Sequence, residues 1–292
     1  MITPPHTILI TGANGFVGSH LVKAASARNW RVHAWSRHAP AELPAGAIWH
    51  PYSFSEPPPP WPADLNSVVH CAHDRHGSSR SLFESNVAAA RQLREAALQQ
   101  SNANFIYISS QSAHPGALSY YGKSKLEIEK SMTSKRDLII RPGFVIGPGG
   151  LYSRLRGSLR GLPLTPLFYG GKQPLQTVWI GDLVEIILRT CENFFCGELT
   201  VGCAPSITVK EFYQMILASG HRKKPVLSIP GEPALLLLQI VERLGLKLPV
   251  TSENLLGLKA LVNFDEASKT IPFPYRYMTA REAIEQAEVQ MT

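Results

Sequence analysis

The sequence lacks the long apolar run that a membrane-spanning helix requires. Its longest uninterrupted apolar stretch, residues 234–238, has five residues, whereas a transmembrane helix needs about 20. The N-terminus also lacks a basic region, and its apolar run stops at a glycine-rich turn, so no secretory signal is visible. We therefore expect no membrane span and a cytoplasmic location.

Charge and paired cysteines are also sparse. Charged residues make up 17% of the 292 residues, below the roughly 25% that is typical of soluble proteins. The net charge of +7 includes no arginine-rich tract or aromatic-basic repeat. This disfavours a nucleic-acid partner and is compatible with an anionic small molecule. None of the four cysteines belongs to a C-x-x-C pair, so neither a zinc ribbon nor a thioredoxin-type site is expected.

What the first half of the chain does have is a regular alternation of β-branched runs and helical patterns. The pattern predicts strands at residues 7–11, 31–35, 67–71, 105–109 and 138–141 and helices at 17–27, 84–99 and 120–135. Such an alternation indicates βαβ units and a parallel sheet covered on both faces. After Gly143 the rhythm gives way to Gly/Pro-rich loops. Further helices are predicted at 182–191, 209–219, 233–244 and 279–287.

A glycine-rich turn with the spacing G-x-x-G-x-x-G follows the first strand and opens a helix. The chain must turn sharply there, and a pyrophosphate can approach bare backbone N–H groups at the positive end of the helix. A second strand follows about 20 residues later, which is the context expected of a dinucleotide-binding site. The residues predicted to contact the cofactor in this turn are Gly12, Asn14, Gly15, Phe16, Val17 and Gly18.

The second predicted strand ends at Ser36 and Arg37. An Asp or Glu at this place would accept hydrogen bonds from the ribose hydroxyls of NAD, whereas a cation suits the 2′-phosphate of NADP. We therefore predict NADP as the cofactor, bound by Arg37 and Ser36, with NAD as the alternative. Arg37 as an ordinary solvated surface arginine is the competing interpretation.

Tyr121 and Lys125 are four residues apart and share one face of a predicted helix. A tyrosine is a poor base at neutral pH, since its ordinary pKa is near 10, but a neighbouring ammonium stabilises the phenolate. Ser110 ends the strand just before this helix, at the edge of a parallel sheet where ligands bind. Tyr120 is a weaker candidate because it has no basic residue four positions later.

With these residues in order along one α/β chain, the sequence resembles the short-chain dehydrogenase/reductase superfamily. It is most similar to the extended branch, the NAD(P)-dependent epimerase/dehydratase family that acts on nucleotide sugars. The segments that carry the resemblance are 11–18, 69–72, 86–87, 108–110, 121–125, 141–149 and 178–183.

The resemblance implies roles for further residues. It makes Ser110, Tyr121 and Lys125 catalytic, with Lys125 also on the cofactor ribose, and it implies a homodimer formed through the helices near 84–99 and 120–135. Ser112 is a rival for Ser110, and a candidate substrate contact, because the interval from Ser110 to Tyr121 is short for the family. The further cofactor contacts that it implies are Cys71, Ala72, Asn86, Pro142 and Val145.

Two other groups of residues have alternative readings. Arg154, Arg156 and Arg160 follow the Gly/Pro loop, and they either bind a substrate diphosphate or form a solvated basic face. His70, His73 and His76 have a spacing that no helix or strand keeps on one face, so no metal site is expected.

We therefore predict an α/β protein: a Rossmann-type doubly wound parallel sheet in residues 1–145, rejoined by 173–203. A smaller, mostly helical C-terminal substrate lobe is predicted in residues 146–172 and 204–292. The expected reaction is NADP-linked reduction of a keto group on a nucleotide sugar, in which Tyr121 protonates the oxygen that Ser110 orients. Gln111 and Ser112 occupy the place where dehydratases carry an acidic pair, which disfavours dehydration. The alternatives are an epimerase that retains its cofactor and a non-catalytic NADP-binding sensor or scaffold.

Overall fold

The computed structural model describes residues 6–74, 79–246, 250–267 and 271–291. Its described residues fall into two compact units. The first contains those within 1–109, 124–141 and 180–199, and the second those within 110–123, 142–179 and 200–292. This division differs from the predicted boundaries at residues 110–123, 142–145, 173–179 and 200–203, all of which group with the second unit.

The strands in chain order are β1 (Thr7–Thr11), β2 (Arg31–Ser36), β3 (Ala47–Pro51), β4 (Ser67–His70), β5 (Asn104–Ile108), β6 (Asp137–Pro142), β7 (Phe144–Ile146), β8 (Thr165–Phe168), β9 (Pro174–Trp179), β10 (Gly197–Val201), β11 (Cys203–Thr208) and β12 (Val226–Ile229). The helices are α1 (Phe16–Ala27), α2 (Ser79–Gln100), α3 (Tyr120–Glu129), α4 (Gly150–Gly161), α5 (Ile180–Asn193), α6 (Val209–Ala218), α7 (Gly231–Arg243), α8 (Ser252–Lys259) and α9 (Ala280–Met291).

The first unit is built on a seven-stranded sheet in the order β10-β6-β5-β4-β1-β2-β3. The pairs β1–β2, β2–β3, β1–β4, β4–β5 and β5–β6 are all parallel. The chain runs outward from β1 to β3 and then returns to place β4 on the other side of β1. This reversal creates a crevice at the carboxyl ends of β1 and β4, and the predicted doubly wound sheet is thereby confirmed.

Both faces of this sheet are covered, which explains why its central strands read as continuous apolar runs. Every residue of β1 is buried. On one face, Leu9, Trp35, Val68 and Phe105, from four adjacent strands, pack with α2 in a single core. α1 packs against α5, and α2 is joined to α3 by an ion pair between Arg91 and Glu127.

The second unit contains α4 and α6 to α9 together with two small sheets, β11-β9-β7 and β12-β8. β9 pairs antiparallel with β11 and parallel with β7. The helices agree with the predicted helical lobe, whereas the short strands were not anticipated. Strands of three to six residues in Gly/Pro-rich sequence are too short to show a clear period.

One predicted helix is too long. The pattern extends α3 to Lys135, but the helix ends at Glu129. The following segment is rich in Ser and Thr, whose side chains compete for backbone hydrogen bonds, and the N–H of Ser134 donates to Asp137 at 2.7 Å. Arg94 binds the same carboxylate, and Asp137 is the first residue of β6. These contacts favour a turn followed by a strand over a longer helix.

Among the described residues, every helix falls short of the length and hydrophobicity that crossing a membrane would require.

Candidate active site

The glycine-rich turn lies directly against the end of β4. Gly12 has a φ of +68°, and a Cβ there would lie 2.7 Å from the backbone nitrogen of Ala72. A Cβ at Gly18 would collide with the carbonyl oxygen of Gly12. Only glycine fits these two positions, because the turn, the β4 end and α1 approach one another through bare backbone.

The turn leaves the start of α1 suited to an anion. Gly15 precedes the helix without a side-chain cap, and the first turn carries no acidic residue. The N–H of Gly15 donates to the Gly12 carbonyl at 2.7 Å, while the N–H groups of Phe16, Val17 and Gly18 belong to the first helical turn. A helix start of this kind favours a phosphate, so these residues fit the pyrophosphate of a dinucleotide.

At the end of β2, one of the two predicted phosphate ligands already has hydrogen-bond partners. The Ser36 hydroxyl donates to the His38 carbonyl at 2.7 Å and accepts from the Trp49 indole at 3.1 Å. The Asn14 amide donates to the same His38 carbonyl at 2.5 Å. Arg37 is exposed, and its Nη1 lies 3.5 Å from Asp74 Oδ1. Arg37 is therefore the stronger of the two candidates for a 2′-phosphate.

Cys71 and Ala72 follow β4 and line the same crevice as the glycine turn. Burial raises the pKa of Cys71 to about 12, which favours the protonated thiol at neutral pH. Asn86 is buried, and its amide accepts from the Asp74 N–H at 2.7 Å and donates to the Asp74 carbonyl at 3.0 Å. In this structure Asn86 positions the segment that bears Asp74, the partner of Arg37.

Lys125 is buried on α3 within a polar cluster that the sequence did not indicate. Its ammonium donates to the Ile108 carbonyl at 2.8 Å and lies 4.6 Å from the ring centroid of Tyr107. His70 stacks on the same ring and lies 2.7 Å from the Thr11 hydroxyl. Burial, followed by the charge of Lys125, lowers the pKa of His70 to about 3. The imidazole is therefore neutral, and Lys125 is the charged group of this cluster.

The predicted serine and tyrosine belong to segments that pack together. The turn after β5 is closed by the Ser112 N–H, which donates to the Ser110 hydroxyl at 3.1 Å. A Cβ at Gly122 would collide with the Ser112 carbonyl, so this turn lies against the start of α3. Tyr121 is 37% exposed there, one turn before Lys125 on the same helix. Both Ser110 and Ser112 lie in this turn, and the choice between them stays open.

The sequence pattern did not predict a buried ion pair between Glu129 and Arg141. Glu129 accepts from the Ser109 hydroxyl at 2.5 Å and from Arg141 Nε and Nη2 at 2.9 and 2.7 Å. It joins the last turn of α3 to the ends of β5 and β6. Its signal was present in the spacing, because Tyr121, Lys125 and Glu129 recur every four residues on one helix face.

The remaining cofactor candidates lie at the β6–β7 step. Pro142 is buried, and its carbonyl accepts from the Gln111 N–H at 3.1 Å. Val145 is half-buried and pairs with Val178 in the β7–β9 ladder. Both belong to the second unit, and Pro142 contacts the turn that carries Ser110.

Two of the three predicted substrate arginines already bind a carboxylate. Arg156 donates to both oxygens of Glu288 at 2.7 and 2.5 Å, and Arg160 donates to both at 2.8 and 3.0 Å. These contacts tie α4 to α9. Arg154 is exposed on the same helix and is the better candidate for a substrate anion.

The histidines of the 70–76 segment show no metal arrangement in the described part of the chain. His70 contacts Thr11, and His76 lies outside the described residues. Within residues 6–74, 79–246, 250–267 and 271–291, no three His, Cys, Asp or Glu side chains come close enough to bind an ion together.

Comparison with known proteins places this site in context. The model of the NAD dependent epimerase/dehydratase family matches residues 8–199. The chain is 24% identical over 283 residues to the dTDP-4-dehydro-6-deoxy-D-allose reductase of Streptomyces bikiniensis, covering 78% of this chain and 85% of that one. It is 30% identical over 224 residues to the UDP-glucose 4-epimerase of Vibrio cholerae, covering 64% and 66%.

Solved structures share the fold. The crystal structure of the human epimerase family protein SDR39U1 (isoform 2) with NADPH superposes with a TM-score of 0.72. The match covers 96% of this chain and 98% of that one at 17% identity.

Proposed function

Since the chain belongs to the NAD-dependent epimerase/dehydratase family, we propose that it reduces a keto group on the sugar of a nucleotide sugar, with NADPH as reductant. Its family makes it an NAD(P)-dependent enzyme of the extended short-chain dehydrogenase type. The observation that carries the proposal is that Tyr121 and Lys125 lie on one helix beside a turn without a carboxylate. In that turn Ser110 is followed by Gln111 and Ser112, neither of which is acidic. The relative from Streptomyces bikiniensis, named dTDP-4-dehydro-6-deoxy-D-allose reductase, supports a reaction of this class.

The positions of the side chains support the proposed roles. When bound, a reduced nicotinamide would supply the hydride for the carbonyl carbon. Tyr121 donates its phenolic proton to the oxygen, and the proton is replaced from solvent. Ser110 donates a hydrogen bond to the same oxygen, which stabilises the charge that develops on it. Lys125, fixed by the Ile108 carbonyl and the Tyr107 ring, provides positive charge beside the phenol and a donor for the cofactor ribose.

Epimerisation is the second candidate, supported by the relative named UDP-glucose 4-epimerase at 30% identity. The two reactions use the same tyrosine but differ in redox balance. A reductase consumes one reduced cofactor for each product, whereas an epimerase returns the hydride and consumes none.

The deciding experiment supplies NADPH with a dTDP-linked 4-keto-6-deoxysugar and, separately, supplies a UDP-hexose, and follows both cofactor absorbance and sugar products. We expect NADPH oxidation equal in amount to the alcohol formed. Interconversion of UDP-hexoses without net oxidation would support the epimerase. Normal NADPH binding with no product from either substrate would support the sensor or scaffold instead.

Arg154 tests the substrate end of the same proposal. Arg154→Ala should raise KM for the nucleotide sugar far more than Kd for NADPH, because a diphosphate loses a charged donor. Arg156→Ala is the matched control on α4, since its partner is Glu288. That control should act chiefly on stability.

Arg37 sets the expected cofactor preference. A charge-assisted contact to the 2′-phosphate is worth roughly 1.5–3 kcal/mol, so NADPH should bind at least about 10-fold more tightly than NADH. The exposed pair with Asp74 is a weak competitor, because surface ion pairs contribute about 0–1 kcal/mol. Arg37→Asp should reverse the preference by removing the cation and adding repulsion.

Titration of both cofactors against both proteins measures this preference. Lys23→Ala is the control, since Lys23 is another exposed cation of the first unit and pairs with Glu42. It should leave the NADPH-to-NADH ratio unchanged. Equal affinities in the unmodified protein would mean that Arg37 is ordinary surface charge.

A further inference from the structure

Gln111 follows Ser110 and is the first of three side chains that are linked by hydrogen bonds. Its Nε2 donates to Gln176 Oε1 at 2.6 Å. Gln176 lies on β9, is only 4% exposed, and donates from Nε2 to Asp265 Oδ1 at 3.1 Å. We call these three residues the amide relay. All of them belong to the second unit.

Asp265, the last residue of the amide relay, fixes which groups donate and which accept along it. Asp265 Oδ1 also accepts from the Ser206 N–H at 2.9 Å and the Ser206 hydroxyl at 2.6 Å, and Oδ2 accepts from the Asn263 amide at 3.0 Å. Burial alone would raise the pKa of Asp265, but these hydrogen bonds outweigh it and lower the pKa. The group is therefore an ionised carboxylate, which can only accept.

That constraint passes along the amide relay. Because Asp265 only accepts, Gln176 must present its NH₂ group to Asp265 and its oxygen to Gln111. Gln111 must in turn present its own NH₂ group to Gln176. The carboxylate thus selects one orientation for both amides, which a lone glutamine pair would leave undecided.

The packing around Gln176 leaves little room for another arrangement. A Cβ at Gly202 would lie 2.6 Å from Gln176 Oε1. A Cβ at Gly143 would collide with the Gln176 carbonyl and lie 3.5 Å from Gln111 Nε2. The middle of the amide relay therefore lies between two backbone segments that have no side chains to yield space.

We propose that Gln111 is a positioning residue. Its side chain, oriented by Asp265 through Gln176, fixes the turn that carries Ser110. The amide relay accepts a hydrogen-bond donor at position 111 but not a carboxylate. The inference rests on the proposed reduction and deepens it. Elimination of water would use an acid at this place. An ionised acid at position 111 would face the oxygen of Gln176, so that two acceptors would oppose each other.

Gln111→Glu is the decisive substitution, since it keeps the size of the side chain and replaces the amide donor by an ionisable carboxyl group. We expect kcat to fall about tenfold or more, the size expected when a buried acceptor loses its donor, while Kd for NADPH stays unchanged. The loss should grow as pH rises, because only the protonated acid can donate to Gln176. A pH profile of kcat that parallels the unmodified protein's would overturn the proposal.

Two second-site changes separate orientation from simple damage. Asp265→Ala removes the group that orients Gln176, so its amide can rotate and donate to Glu at position 111. The penalty of Gln111→Glu should then shrink. Asp265→Asn keeps an oxygen opposite the two Ser206 donors and keeps Gln176 in place, so the penalty should persist. Additive effects in both backgrounds would contradict the amide relay.

Thermal unfolding supplies a readout that does not depend on the substrate. Gln111→Glu should lower Tm more at high pH than at low pH, and Asp265→Ala, but not Asp265→Asn, should relieve that difference. Gln176→Met offers a second way to remove the opposing oxygen if Asp265→Ala does not fold. Absence of any turnover with the expected Tm pattern would defeat the proposed function alone. Normal turnover with no such pattern would defeat the amide relay alone.

Discussion

Replacing Tyr121 by Phe is expected to reduce turnover by about 10²–10⁴-fold, the contribution of general acid–base catalysis. The ring, and with it the packing of the first turn of α3, is retained, so stability and NADPH affinity should not change. Only the phenolic hydroxyl is lost, and with it the proton that the substrate oxygen accepts. Steady-state turnover and a cofactor titration on the same protein measure the two effects separately.

Tyr120 provides a matched control for this substitution. It is the neighbouring residue on the same helix and is exposed to a similar degree, 42% against 37%. The ammonium of Lys123 lies over its ring, 5.7 Å from the centroid. Tyr120→Phe should leave turnover nearly unchanged. If the two variants lose activity equally, or if Tyr121→Phe is nearly as active as the unmodified protein, Tyr121 is not the acid.

Removing the Glu129 side chain should cause a large loss of stability. Its carboxylate is 4% exposed and binds Arg141 through two hydrogen bonds. Breaking a buried ion pair from one side costs about 3–5 kcal/mol, because the remaining charge stays buried without its partner. We expect about 3 kcal/mol for Glu129→Ala, the lower end, since Arg141 keeps its contact with Glu198.

Glu127 is the control for this measurement, two residues earlier on the same helix. It pairs with Arg91 and Lys130 near the surface, and such pairs contribute about 0–1 kcal/mol. Urea unfolding of Glu127→Ala and Glu129→Ala compares an exposed pair with a buried one in a single element. Equal losses would show that burial does not govern the stability of this helix end.

Glu129→Ala should also lower turnover beyond its effect on folding. The Ser109 hydroxyl donates to Glu129, and Ser109 directly precedes Ser110. Loss of this hydrogen bond weakens the anchoring of the end of β5, which leads directly into Ser110.

Much of the first unit could be predicted because its signals are local. The strand bounds of β1 were predicted without error, and those of β2, β4, β5 and β6 to within one residue at either end. Backbone conformation at the glycine turn is likewise a local property, since Gly12 needs a positive φ. The failure at α3 was local too, because the apolar period continued past the point where Ser and Thr side chains end the helix.

Side-chain partners were predictable only where both members share one helix. Tyr121 and Lys125 could be assigned to one helix because residues four apart lie on the same helix face, and their catalytic pairing stays a prediction. The homodimer through α2 and α3 stays a prediction, as does the catalytic choice between Ser110 and Ser112.

The sequence by itself determined the doubly wound sheet, the glycine-rich turn and the position of Tyr121 and Lys125 on one helix, since each depends on the spacing of neighbouring residues. The tertiary structure decided which polar groups remain for a ligand. Arg156 binds Glu288, 132 residues away, and Gln111 binds Gln176, 65 residues away. A charged or amide side chain takes whichever partner the packing of distant segments brings within hydrogen-bond distance, and no local pattern encodes that choice.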